Sequence, residues 1–270
     1  MSSTMVDFDY ARPSRLAEAV RLLAGEPGAK ALAGGQSLIP VLKQRLARPT
    51  LLVDLQALPE LRGIEVAPDV VRIGAFTRHA EVASDAAIAE ALPALSAMAR
   101  GIAHPQVRHM GTIGGSLAHH DPGADYPAAV LGLAATVVTD RRRIPADGFF
   151  LGLFETALEP GELVLCVEFP RHRRSGYCKM PHPASGLVNA GAWVTRLPDG
   201  VRVAVNGAAP CVFRHESAER CLAGRFEPAA LAALRTPAEG LNADLHASAA
   251  YRARLVDVAL QRATAMALQH

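Results

Sequence analysis

Two glycine pairs, lying far apart in the chain but alike in form, constrain this protein more than any other feature of it. They are Ala33-Gly34-Gly35-Gln36-Ser37 and Thr112-Ile113-Gly114-Gly115-Ser116. Glycine has no Cβ to keep an anion off the main chain, and it reaches backbone angles that aim successive N–H groups at one point. Each segment ends in serine, a further donor. Two such segments suit a diphosphate held from both sides by main-chain amides, with no need for a lysine-rich pocket. On this reading a branched side chain at Gly114 displaces the anion and leaves the fold intact.

Two familiar dinucleotide or nucleotide loops fail on spacing. A G-x-G-x-x-G turn opening a helix is missing from both segments, although Asp54 falls near the acidic position that would follow the first. A G-x-x-x-x-G-K-[ST] loop is absent as well. The expected ligand is therefore a dinucleotide or a similar diphosphate held by another fold.

The first segment sits inside a compact α/β pattern. Ser14 precedes LAEAVRLLAG, whose apolar spacing is helical, with Gly25 as its stop. Lys30 to Ala33 reads as a strand leading into the glycines. SLIPVLKQRLARP then has helical spacing, broken by Pro40 and ended by Pro49, before the β-rich TLLVDL. From about Pro59 a second region begins with the strand-like VVRIGAF and a turn and helix over 77–87. SDAAIAEALPALSAMARGI continues as helix, capped by Ser84 or Asp85 and closed by Gly101. The region ends near Pro170 after LVLCVEF. The last third differs: GLVNAGAWV and GVRVAVNGAA read as a hairpin joined at Pro198-Asp199-Gly200. Helical stretches follow over 214–222, 228–234 and 248–268, the last long and alanine-rich. This gives three segments, 1–57, 58–170 and 171–270.

Composition removes several function classes. With 270 residues, half of them apolar, the chain can bury one large core or two or three smaller ones. A formal net charge of +2 and the lack of a lysine-rich, aromatic-interleaved tract give no nucleic-acid track, and Arg141 to Arg143 reads as a solvated loop. No apolar run approaches the roughly 20 residues that cross a bilayer. The start, MSSTMVDFDYARPSR, has no secretory pattern, so a cytoplasmic location is expected. Cys166, Cys178, Cys211 and Cys221 have no C-x-x-C pairing and read as reduced, mostly buried thiols rather than cluster ligands.

The densest polar cluster follows the second glycine pair: Ala118-His119-His120-Asp121-Pro122-Gly123-Ala124-Asp125. Adjacent histidines in extended chain point apart, and Pro122-Gly123 makes a turn, so no metal site is expected. Asp125 suits a ribose or ribityl hydroxyl, and Asp121 suits an Asx turn or a helix cap. His104 and Pro105 either shape a cofactor pocket or make a plain turn. No serine has a nucleophile-elbow context, so hydrolysis is not indicated and no catalytic residue is assigned.

Taken together, ALAGGQSLIPVLKQRLARPTLLVDL, IGAFTRHAEV, HPQVRHMGTIGGSLAHHDPGADYPAAVLGL and FFLGLFETALEPGELV strongly resemble the flavin-binding medium subunit of molybdenum hydroxylases. The nearest reference form is molybdenum-type carbon monoxide dehydrogenase, and the flavin domain of xanthine dehydrogenase is more distant. The likeness covers nearly the whole chain. It implies an α+β, PCMH-type FAD-binding fold: two α/β subdomains holding FAD, then a C-terminal domain with a small antiparallel sheet and helices.

Carried over residue by residue, the resemblance places Ala33, Gly34, Gly35, Gln36 and Ser37 with Thr112, Ile113, Gly114, Gly115 and Ser116 around the FAD diphosphate and adjoining sugars. Asp125 would hold a cofactor hydroxyl. Ile102 would lie near the ring system, the main chain of Val164 near the flavin or adenine end, and Lys179 at the flavin. Gln36, the short stretch over 140–144 and the rigid Pro181-His182-Pro183 depart from common family patterns. The implied activity is that of an oxidoreductase subunit. It would pass electrons from [2Fe-2S] clusters of a small subunit through FAD to an external electron acceptor, while a large subunit holds the molybdenum cofactor and oxidises the substrate. The absence of cluster cysteines agrees with that division, in which the cofactor supplies the chemistry. The competing reading is a non-catalytic dinucleotide-binding assembly protein of the same fold. A self-sufficient flavin oxidase ranks below both, because no substrate-binding acid/base set is evident.

Overall fold

The computed structural model describes residues 7–172 and 174–269. The reading of the N-terminal leader, and the outer limits of the first and third segments, rest partly on residues 1–6 and 270, outside the described residues.

Among the described residues three sheets of three or more strands succeed one another along the chain, beside one two-stranded hairpin. The first is built from β1 (Asp9–Ala11), α1 (Leu16–Gly25), β2 (Lys30–Leu32), α2 (Leu38–Lys43) and β3 (Leu51–Asp54). Its strands are parallel in the order β1-β3-β2, and the central β3 is buried at all four positions, as a parallel strand covered on both faces should be. Ala19 and Leu23 of α1 pack on Leu51 and Val53. Two expectations are corrected here. Arg15, not Ser14, precedes α1, and no side chain caps it. Pro40 does not break α2, because it lies in the first turn where no intrahelical N–H is required; the helix simply ends at Lys43.

The second sheet has the order β4-β5-β10-β6-β7 and is antiparallel throughout. Its strands are β4 (Ile64–Val66), β5 (Val70–Gly74), β6 (Thr136–Thr139), β7 (Arg143–Pro145) and, after the small hairpin β8 (Phe150–Gly152) and β9 (Glu155–Thr156), β10 (Val164–Pro170). Between β5 and β6 run α3 (His79–Ser84), α4 (Ala86–Ala91), α5 (Pro93–Arg100), α6 (Pro105–Arg108), α7 (Ile113–His119) and α8 (Tyr126–Gly132). The stretch read as one helix over 84–102 is two, α4 and α5. Pro93 pushes Leu92 out of helical geometry, to φ −139° and ψ 67°. Asp85 caps α4 through the Ile88 amide at 2.8 Å, and Gly101 closes α5.

The third sheet, β11 (Ser175–Pro181), β12 (Val188–Leu197), β13 (Gly200–Asn206) and β14 (Phe213–Arg214), is antiparallel in chain order. Leu197 pairs with Gly200 across Pro198-Asp199, the expected hairpin. α9 (Glu216–Gly224) and the capped α10 (Ala249–Ala267) follow, with Ser248 accepting from the Tyr251 amide at 3.2 Å. The strand period of two gives this sheet two working faces. Cys178, Ala190, Ala192, Val194, Val203 and Val205 face α10. The opposite face carries Trp193 and Ala204 into the core of the second sheet and its helices. Among the described residues no helix is long and apolar enough to cross a membrane.

Candidate functional site

The two glycine segments meet. Gly34 lies so close to the chain ahead of the second segment that a Cβ there would stand 2.0 Å from the Met110 carbonyl oxygen and 2.8 Å from Gly111 Cα. A Cβ on Gly115 would lie 3.6 Å from that of Ala33. The first sheet's glycine turn and the start of α7 thus form one seam.

They are nevertheless different structures. Gly35 has φ +70°, in the left-handed region open to glycine, and the turn leads into α2. None of the four amides from Gly34 to Ser37 donates to a described acceptor; Gly34 is buried in the seam, while Gly35, Gln36 and Ser37 are partly or fully exposed beside it. Gln36 ties its own side chain back to the Gly34 carbonyl at 3.2 Å. Gly114 and Gly115, by contrast, belong to the first turn of α7, with Thr112 as its cap. The amides there are spent: Ile113 donates to Thr77 O, Gly114 to Ala75 O, Gly115 to the Thr112 hydroxyl and Ser116 to Thr112 O. A Cβ on Gly114 would stand 2.5 Å from that of Ala75. The expectation of two matching amide loops is corrected accordingly. The first segment offers the amides, while Gly114 is small so that α7 can lie against Ala75; a branched residue there would disturb the fold itself.

Beyond α7 the polar cluster folds into separate roles. His119 stacks on Phe154 at 5.0 Å. His120 ends α7 in the left-handed region with φ 45°, is buried on Phe150, and places Nδ1 3.0 Å from Glu155 O. The two histidines diverge because a helix ends between them, not because the chain is extended. Asp121 accepts from the Gly123 amide at 2.8 Å, the expected Asx turn.

Asp125 and Lys179 form an ion pair of 3.0 Å, both side chains largely out of water at 4% and 14% exposure. The other oxygen of Asp125 accepts from the Tyr177 hydroxyl at 2.9 Å. Burial pushes the carboxyl above its ordinary range, and the Lys179 charge and the two hydrogen bonds pull it back. Asp125 is thus engaged by protein donors at both oxygens. Lys179 also donates to Gly101 O at 3.3 Å and lines a cavity of about 210 Å³ with Gly101, Ala103, His104, Pro181, Ser185 and Gly186. That volume admits a ring-sized fragment of a ligand, not a whole dinucleotide.

The cavity wall over 101–104 is held by Arg108, whose Nη1 donates to Ile102 O at 2.7 Å and Ala103 O at 2.8 Å. Ala103 stands in the left-handed region with φ 41°, a conformation disfavoured for a residue with a Cβ. Ile102 turns into the core, so its neighbours rather than its own side chain face the cavity. Val164 is buried in β10 opposite Thr139. Residues 101–116 therefore run from the cavity, through α6, to the glycine seam.

Tyr177, Asn206, Gly191, Arg108 and Met110 were not singled out from the sequence. Only Tyr177 had a usable signal there, since alternation in a strand places it on the same face as Lys179. The others become visible only when separate elements are packed together.

With this geometry in view, residues 6–172 match the family described as the FAD binding domain in molybdopterin dehydrogenase. The medium chain of carbon monoxide dehydrogenase from Hydrogenophaga pseudoflava is 38% identical over 280 residues, covering 96% of this chain and 97% of that one. The medium subunit of nicotine 6-hydroxylase from Paenarthrobacter nicotinovorans is also 38% identical, over 94% of each chain. Among solved structures, a chain of the Hydrogenophaga pseudoflava carbon monoxide dehydrogenase lacking the Mo-pyranopterin moiety of its molybdenum cofactor superposes with a TM-score of 0.88 at 35% identity. It covers 98% of this chain and 99% of that one.

Proposed function

The chain belongs to the family of FAD-binding domains of molybdopterin dehydrogenases, with FAD as its cofactor, and from that premise we propose how it works and with what. It is an oxidoreductase subunit, the medium subunit of a molybdenum hydroxylase complex. Its partners are a large subunit with the molybdenum cofactor and a small subunit with [2Fe-2S] clusters. It passes electrons from those clusters to an external acceptor.

The observation that carries this reading is the row of four amides from Gly34 to Ser37 with no described acceptor, beside the seam with α7. A diphosphate is the chemical group that such a row suits. Ser37 and Ser116, whose hydroxyls have no partner among the described residues, supply donors to the diphosphate or adjoining sugar. The 101–116 segment runs from the seam to the cavity where Lys179 presents its ammonium, and these residues would hold one end of FAD there. Asp125 acts there through Lys179, whose ammonium it holds. Ile102 and Val164 support the site from the core. Bound FAD supplies the reversible acceptance and release of electrons; the chain binds it, orients it and keeps water from its buried side.

The test is the visible spectrum of the purified protein. Bound flavin that acid releases supports the reading, and a colourless chain that takes up no FAD on gentle reconstitution overturns it.

A further inference from the structure

Resting on the FAD reading above, the residues behind Lys179 carry an inference of their own. Tyr177 and Lys179 stand two apart on one face of β11 and reach the same carboxylate: Asp125 Oδ1 takes the Tyr177 hydroxyl at 2.9 Å, Oδ2 the Lys179 ammonium at 3.0 Å. The terminal torsion of a carboxylate is soft, so an aspartate held by one partner alone turns readily. Here the second partner fixes it. Tyr177 is itself fixed: Asn206 Nδ2 donates to its oxygen at 3.3 Å and to Ala124 O at 2.6 Å, and the phenolic proton goes to Asp125 at 2.9 Å in preference to Asn206 Oδ1, which lies farther off at 3.5 Å. Gly191 of β12, opposite Lys179 of β11 and Asn206 of β13, leaves the space for this. A Cβ there would stand 2.3 Å from Asn206 Oδ1 and 2.7 Å from the Tyr177 hydroxyl.

Lys179 has three N–H donors. Asp125 and Gly101 O take two, leaving one for whatever enters the cavity that Lys179 lines. We propose that Tyr177 is a positioning residue for Lys179: through Asp125 it holds the ammonium at the cavity wall, aimed at an acceptor atom of the bound FAD, a carbonyl oxygen or ring nitrogen. Asn206 and Gly191 set Tyr177 in turn.

The experiment compares the full chain with Tyr177→Phe, Lys179→Met and the double variant, in two measurements. The first needs no cofactor: acetylation of Lys179 by dilute acetic anhydride, followed by mass spectrometry, speeds up about tenfold in Tyr177→Phe as one charge-assisted hydrogen bond is lost from the set that restrains it. The second is the dissociation constant for FAD by titration. It rises about tenfold in Tyr177→Phe but does not rise further when the same change is made in Lys179→Met. Where Tyr177→Phe fails to fold, Asn206→Ser loosens the Tyr177 hydroxyl without removing it and gives smaller changes of the same sign. Unaltered acetylation of Lys179, or an equal loss of FAD affinity in the Lys179→Met background, overturns the proposal. A wild-type chain that binds no FAD at all overturns the functional reading instead, and the acetylation measurement still decides the role of Tyr177.

Discussion

Gly34 faces the Met110 carbonyl with no room for one more carbon: a Cβ would stand 2.0 Å from that oxygen. The first sheet and the α7 segment touch there backbone to backbone. Gly34→Ala is expected to lower stability by about 3 kcal/mol, the upper range for overpacking, because neither main chain can move aside cheaply. Urea unfolding measures it. Gly25→Ala, at a position with nothing within 4 Å of the new carbon, is the control and is expected to gain about 0.5 kcal/mol. Equal effects at the two sites would refute the close apposition.

Gly114 makes a different prediction from the one its sequence suggests. Its Cβ would meet Ala75 Cβ at 2.5 Å and Ala75 O at 2.8 Å, so Gly114→Val should reduce folded yield and cooperativity before any question of FAD arises. A Gly114→Val protein with a wild-type melting curve and no FAD would restore the anion-site reading of that residue.

Glu162 ties the end of the β9–β10 loop to β6. Its carboxylate accepts from Arg142 Nε and Nη2 at 3.0 and 2.9 Å, from Thr139 Oγ1 at 2.7 Å and from the Glu159 amide at 2.8 Å. The Arg142 hydrogen bonds lead in lowering its pKa to about 2. A depressed carboxyl stabilises the fold above its unfolded pKa and loses that contribution as pH falls from about 4.5 to about 2. With Arg142 partly in water, about 2 kcal/mol is at stake. Glu162→Gln should flatten the stability curve across that window, and an unchanged slope would count against the assignment.

His79 titrates in the window above. Buried against Tyr126 at 5.3 Å and pushed down chiefly by burial, its pKa falls to about 4. The unfolded chain takes up this proton near pH 6.5, so stability declines from there down to about pH 4, by about 3 kcal/mol in all. NMR titration of the imidazole checks it directly. Protonation of His79 near pH 6.5 in the folded protein would rule this out.

Much of this was legible in the chain of letters. The strand-like runs GLVNAGAWV and GVRVAVNGAA, with Pro198-Asp199-Gly200 between them, specify a hairpin because such a turn reverses the chain within a few residues. Asp85 and Ser248 mark helix starts because their side chains satisfy amides of their own first turns. The strand before Gly34 and the motifs that tie the chain to its family are likewise local. These signals are read correctly because the forces behind them act within a few residues.

What only the tertiary structure decided is what each glycine and each charge is for. The same letters, Gly-Gly, make an open left-handed turn at Gly35 and a packed helix start at Gly114, since the second pair lies against Ala75 and the first opens at an edge. Asp125 looks in sequence like a partner for a hydroxyl. In the fold it is met by Tyr177 and Lys179 from a strand more than fifty positions away. Hydrogen bonds and steric contact act over a few ångströms in space, whatever the separation along the chain, so which groups remain open for a ligand is settled only once the three sheets are packed.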